Sequence, residues 1–416
     1  MDKLKKLLSS QTIKDTSISF VGLGITALIG FVYTVILARY LGPEQFGVFS
    51  AVTALIAIVY SLGDLGIASS LINFIPKLKD LRSKLINTSF WFEVAIGSVI
   101  LILFSIFAIF HQTIVPGSLA NQLLIAGVLT LNYLFIGYIQ GVFTAERRFV
   151  SYSLSQIIDA TIKIIIVFIL LAMSRLTIET ALLANIVSTI ISLLITFGKE
   201  LLRIKPSFDK GIFHKLFHFA KWIAVTRIFS VFISRIDVIL LNLLSSSFQA
   251  GIFAAANRIT FLFSLLVSSL GSVISPRFSG FDNKHKVISY IKKLLGLISL
   301  ISVLMLTAAI FAKPIINIVF GDKFVLAIPI FQALTISMIP FIFSLATTPA
   351  LIYTFNKPKF VARMTALQVI SMICIELVLI PSLGSFAPPI ALGITNTIVL
   401  VVSATKLLSL LKDEKQ

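Results

Sequence analysis

The chain has 416 residues, 57% of hydrophobic type and 12% charged, against about 45–50% and about 25% in soluble domains, so a water-soluble globule is excluded. Its 35 Lys and Arg against 17 Asp and Glu leave a net charge of +18, an excess that in a membrane chain is read from loop asymmetry and not from nucleic acid. The single cysteine, Cys374, excludes a disulfide framework and a cysteine metal site.

Residues 1–16 open the chain with Leu4, Leu7 and Leu8 among Lys3, Lys5 and Lys6, an amphipathic segment expected to lie flat on the inner leaflet. Apolar stretches of about 20 residues, long enough to cross hydrocarbon as helices, then follow at 17–39, 47–72, 88–110, 119–143, 153–173, 177–198, 219–244, 251–275, 288–312, 326–354, 360–380 and 386–408. All are expected as helices, because irregular backbone in lipid leaves N–H and C=O groups unpaired. The first is longer than the apolar region of a signal peptide and no small-residue cleavage site follows, so it is expected to remain as a span. The fold class is an all-α polytopic membrane protein with twelve transmembrane helices in two parallel six-helix lobes.

The division rests on the longest polar stretch, Lys199 to Lys221, after the sixth span. It separates an N-terminal lobe at 17–198 from a cytoplasmic linker at 199–218 and a C-terminal lobe at 219–416, which ends in a short cytoplasmic tail. The halves echo one another: Gln45-Phe46-Gly47-Val48-Phe49-Ser50-Ala51 opens the second span, and Gln249-Ala250-Gly251-Ile252-Phe253-Ala254-Ala255 opens the eighth, 204 residues later. An even number of spans per half gives the copies parallel orientation. Loops and adjoining span ends on the side of the termini carry 27 Lys and Arg and those on the other side 4, which places both termini in the cytoplasm.

Ionisable groups within spans are costly and face a partner or a cavity; here they are Asp64, Glu93, Asp159, Lys163, Arg227, Arg235, Asp237, Arg258 and Glu376. Asp159 and Lys163, four apart, share a helical face with Gln156. They read either as a self-neutralising ion pair or as a stripe where a substrate anion competes for Lys163 and frees Asp159 for a proton. Arg227, Ser230, Ser234 and Asp237 form one polar stripe, with Arg235 on a neighbouring face. Asp237 and Arg258 come at similar depth on successive spans, close enough to pair, and read equally as a fixed bridge or as groups facing a cavity. Asp64 sits between Gly63 and Gly66, where glycines admit close backbone approach, and reads equally as a structural carboxylate or an ion site. Glu93 and Glu376 fall near span ends, where the expectation is that they reach the interface. Pro340 in the tenth span predicts a kink.

The stretch Leu37-Ala38-Arg39-Tyr40-Leu41-Gly42-Pro43-Glu44-Gln45-Phe46-Gly47-Val48-Phe49-Ser50, followed by Leu62-Gly63-Asp64-Leu65-Gly66, resembles the opening of bacterial polysaccharide transporters. These form the O-antigen-flippase-like branch of the superfamily that also holds multidrug and toxin extruders and lipid II flippases. The resemblance implies export of an undecaprenyl-diphosphate-linked oligosaccharide across the bacterial cytoplasmic membrane, by alternating access between two six-helix bundles. A cationic cavity of Arg227, Arg235, Arg258 and Lys163 would then take the diphosphate, while the prenyl tail stays in lipid. Asp64, Asp159 and Asp237 are the carboxylates available for proton or sodium coupling.

Other functions remain to be separated. A cation-coupled drug extruder of the same superfamily has mostly cationic substrates, which an arginine-rich cavity disfavours. The major facilitators carry a Gly-x-x-x-Asp-Arg-x-Gly-Arg loop between spans two and three, whereas this chain reads Asn73-Phe74-Ile75-Pro76-Lys77-Leu78-Lys79-Asp80-Leu81-Arg82. A non-transporting scaffold of a glycan-assembly complex is the alternative from a different class. No Walker A string, nucleophile elbow or metal-ligand histidine spacing occurs, so neither an enzyme nor a resident cofactor is expected. The expected partners are the lipid-linked oligosaccharide, membrane lipids and other polysaccharide-assembly proteins, with no nucleic acid.

Overall fold

The computed structural model describes residues 11–202, 204–281 and 284–412, and among them the chain is helical with no strand. Residues 1–10 of the surface-lying segment expected at 1–16 lie outside the described residues. Nine helical stretches among the described residues are long and apolar enough to cross a membrane. Pro358–Lys412 holds two of the apolar segments, and Val21–Asp64 runs from within the first into the second. The segment at 219–244 is helical too, within Lys210–Leu244. Large apolar side chains such as Ile109 (75% exposed) and Val378 (73%) face outward, while Ser61, Asn87, Ser188 and Asn396 are buried. That inversion suits lipid as solvent.

The breaks have local causes. Gly42 takes φ +76° and is followed by Pro43, which ends one helical run and starts the next. The segment at 47–72, expected as one span, instead breaks at Leu65 and Gly66, whose φ values are 42° and 74°. Gly66 lies against Ala220, and an added Cβ there would come within 2.9 Å of the Ala220 carbonyl oxygen. Met338 separates the helix Ala327–Ser337 from the short helix Ile339–Ser344, which carries Pro340 in its first turn.

By its contacts the chain forms two compact units: one is the chain up to Leu41 with Val48–Ile239, the other Gly42–Gly47 with Leu240 onward. In the first, Ile67, Leu71, Leu85, Tyr138, Phe143 and Leu216 share one apolar core. The polar connection after the sixth span is fastened to the helix Arg82–Ile109. Trp91 Nε1 donates to the Lys205 carbonyl at 2.9 Å, Asn87 Nδ2 to Ser207 Oγ at 3.2 Å, and the Asp209 N–H to Thr88 Oγ1 at 3.2 Å. Asp209 in turn caps the helix Lys210–Leu244, its Oδ1 accepting from the N–H groups of Gly211 and Ile212 at 2.9 and 3.0 Å. The seventh apolar segment, as far as Ile239, thereby packs with the first six.

In the second unit Phe278, Met305, Ile342, Leu351 and Leu407 belong to one core. Gly47 and Gly251, equivalent positions of the sequence echo, cross backbone on backbone: a Cβ on Gly47 would overlap the Ser247 carbonyl, and one on Gly251 the Pro43 carbonyl. Glycine is required at both.

Candidate functional site

The site in the first unit starts from the break at Leu65 and Gly66. It turns the Asp64 carboxylate toward the N–H groups of Gly66 and Ala68 and leaves the residue 2% exposed. A carboxylate so buried needs a cation, and Arg227, 163 residues on, supplies it with Nη1 2.5 Å from Asp64 Oδ2. The Arg227 side chain remains 40% exposed, so the pair is sealed at the acid and open at the base. The guanidinium also lies 5.8 Å from the Tyr60 ring centroid.

Arg227 forms part of the wall of a cavity of about 480 Å³, within the size range of small-molecule sites. Tyr60, Ser69, Gln140, Thr144 and Tyr152 line it with Arg227, and Ser230 adds a further hydroxyl. Gly137 and Gly141, on the helix Ala120–Ala145, let Tyr60 and Ala68 approach: an added Cβ would come 2.5 Å from Tyr60 Oη and 2.9 Å from Ala68. A guanidinium has five donors and one pairing leaves the others for a ligand. The cavity therefore offers one cation, several neutral hydrogen-bonding groups and aromatic rings, a chemistry for an anion bearing hydroxyls.

Lys163 and Asp159 form a separate cluster in the same unit. Lys163 Nζ is 3.0 Å from Asp159 Oδ2, while Asp159 Oδ1 accepts from Ser188 at 2.7 Å and Thr189 at 3.2 Å. These bonds tie the helix Phe149–Ala172 to Ile178–Leu201. Asn185, one turn before Thr189, donates to Tyr33 Oη at 2.6 Å and accepts from Tyr133 Oη at 3.4 Å. Tyr133 and Tyr60 meet edge to face at 6.5 Å, which joins this cluster to the Arg227 cavity.

Of the four cations expected to line one space, only Arg227 is among the residues lining this cavity. Lys163 lies in the Asp159 cluster, Arg235 is exposed on the helix of Arg227, and Arg258 belongs to the second unit. Residue type sets a preference for a cavity but not the azimuth of each helix. Asp237 is half-buried near the end of the first unit.

Glu93 and Glu376 depart from expectation: both are 0% exposed and do not reach an interface. The helix of Glu93 is packed closely by its neighbours, an added Cβ on Gly63 meeting Ile100 at 2.7 Å and one on Gly97 meeting Leu131. Gln140, Thr144 and Tyr152 were not singled out in the sequence. Their signal was Gly137, Gln140, Gly141 and Thr144 at helical spacing on one face.

The helical unit thus encloses a charged, hydroxyl-lined cavity while its outer side chains are apolar. The chain superposes on an inward-facing multidrug-resistance MATE family transporter of the MOP superfamily with a TM-score of 0.72 at 15% identity, over 96% of this chain and 100% of the other. It superposes on the lipid II flippase MurJ, in an inward closed conformation, with a TM-score of 0.71 at 15% identity, over 93% and 87% of the two chains. The fold is thus that of MOP-superfamily transporters. The profile of the polysaccharide biosynthesis protein family matches residues 12–282, and the chain belongs to that family. It is 25% identical over 413 residues to a Shigella flexneri protein described, by inference, as an O-antigen transporter, covering 92% of this chain and 94% of that one. It is 22% identical over 344 residues to the lipopolysaccharide biosynthesis protein WzxC of Escherichia coli K12, covering 79% and 67%.

Proposed function

We propose that the chain is a flippase that moves an undecaprenyl-diphosphate-linked oligosaccharide across the bacterial cytoplasmic membrane by alternating access, for surface polysaccharide assembly. The observation that carries this reading is the half-exposed Arg227 among hydroxyl and amide groups in the cavity of about 480 Å³. A diphosphate takes the guanidinium through paired hydrogen bonds, sugar hydroxyls exchange bonds with Gln140, Thr144, Ser69 and Tyr152, and the prenyl chain stays in lipid. Positioning and charge neutralisation lower the barrier, with no covalent chemistry and no resident cofactor. Coupling to protons or sodium runs through one of the carboxylates Asp64, Asp159 and Asp237. Lipids and glycan-assembly proteins are its partners.

In a strain lacking its own oligosaccharide flippase, the chain is expected to restore surface glycan while leaving tolerance to cationic drugs unchanged. Drug tolerance without glycan would establish the extruder instead. The orientation has its own test in a variant with Cys374 replaced: cysteines placed near Lys205 and Gln416 should label from the cytoplasm, and those near Gly117 and Ser246 from outside. Any reversal breaks the arrangement of two parallel halves with cytoplasmic termini.

A further inference from the structure

Ser69 and Ser70 are neighbours on the helix Ile67–Phe74, which follows the break at Leu65 and Gly66, yet they face different ways. Ser69 lines the cavity, while Ser70 is 0% exposed and its Oγ donates to the Leu216 carbonyl of the helix Lys210–Leu244 at 3.0 Å. That bond belongs to a seam running antiparallel along the two segments. At one end the Phe74 ring meets the Phe219 ring edge to face at 5.6 Å and lies 5.6 Å from the Lys215 ammonium. Ser70 then pairs with Leu216, Gly66 lies against Ala220 and Ala224, and Asp64 holds Arg227. Leu216, Ala220, Ala224 and Arg227, at spacings of four, four and three, share one face of their helix. The first three are buried, and of the four only Arg227 opens into the cavity.

We infer that Ser70 is a positioning residue for the diphosphate: its bond to Leu216, with the close pass at Gly66, fixes the azimuth of the helix that aims Arg227 into the cavity. This rests on the flippase reading. In lipid no hydrophobic force holds one helix at a set rotation against another, so close contact and interhelical hydrogen bonds have to do it. The ion pair with Asp64 is too permissive for that task, because the long arginine stem reaches one carboxylate from a range of helix rotations. Paired hydrogen bonds from the planar fork to a phosphate tolerate less, since both donors must align at once. The seam therefore holds an orientation that a diphosphate needs and that Asp64 alone does not impose. Removing the Ser70 hydroxyl strands no polar group, since the ladder of its own helix satisfies the Leu216 carbonyl.

Pyrophosphate, a soluble probe for the diphosphate, tests this by calorimetry on the purified protein, beside detergent melting of each variant. Ser70→Ala should melt within a few degrees of the parent yet bind pyrophosphate about three- to tenfold more weakly, the range that one hydrogen bond sets. Ser89→Ala is the comparison: it removes an equally buried hydroxyl, bonded within its own helix to the Leu85 carbonyl at 2.7 Å, and should bind as the parent does. Parent affinity in Ser70→Ala, or an equal loss in both variants, overturns the positioning role and leaves the flippase reading standing. A parent that binds no pyrophosphate overturns both. If Ser70→Ala does not fold, Ser70→Cys, of similar size and a weaker donor, carries the same comparison.

Discussion

Arg227→Ala is expected to abolish export and to destabilise the protein. Removing one partner of a buried pair costs about 3–5 kcal/mol because the other charge is left uncompensated. Here the lower end applies, since Asp64 is 2% exposed but the Arg227 side chain is 40% exposed and part of its interaction is already screened. Asp64→Asn should behave differently: it removes the buried charge, leaves Arg227 free toward the cavity, and should melt within a few degrees of the parent. The double variant Arg227→Met with Asp64→Leu replaces the pair by apolar groups, a change that is often neutral for stability. It should fold in detergent and export nothing. Melting of each variant beside glycan export separates the two roles, and full export by folded Arg227→Ala would remove the residue from the site.

The second large effect is expected at the crossing of Gly47 and Gly251. Overpacking a core usually costs about 1–3 kcal/mol because side chains shift to make room, but here the atoms that a new Cβ would meet are backbone carbonyls of Ser247 and Pro43. Neither can turn aside without moving a helix. Gly47→Ala and Gly251→Ala should each prevent recovery of monodisperse protein, read by size-exclusion chromatography of a fluorescent fusion. Gly296→Ala, at a helical glycine with nothing within 4 Å of an added Cβ, should be neutral or slightly stabilising. Equal yields from all three would mean the crossing adapts.

That crossing was half legible in the sequence. The echo placed Gly47 and Gly251 at equivalent points of the second and eighth spans, but the contact between them did not follow from it. Helices were legible throughout, because an unpaired backbone is prohibitive in lipid and leaves little choice of structure. The pairing of Asp159 with Lys163 was legible because a spacing of four fixes it locally. Asp64 with Arg227 was not, since 163 residues and the azimuths of two helices lie between them. Both were flagged as costly, which is a statement about each residue separately. Glu93 was misread for a related reason: depth counted along one helix takes no account of which neighbouring helices cover that face.

The bonds around Asp159 bear on how this sequence can drift. Its two oxygens serve three donors, Lys163 in its own helix and Ser188 and Thr189 in the next. A change at Asp159 strands a lysine in the membrane, and a change at Lys163 leaves a carboxylate to two hydroxyls. Single steps therefore lead downhill from either side, and a neutral route has to alter both residues together or pass first through a hydroxyl-rich intermediate. Relatives that lack the pair should lack it whole, with apolar residues at both positions and smaller or apolar side chains where Ser188 and Thr189 now stand.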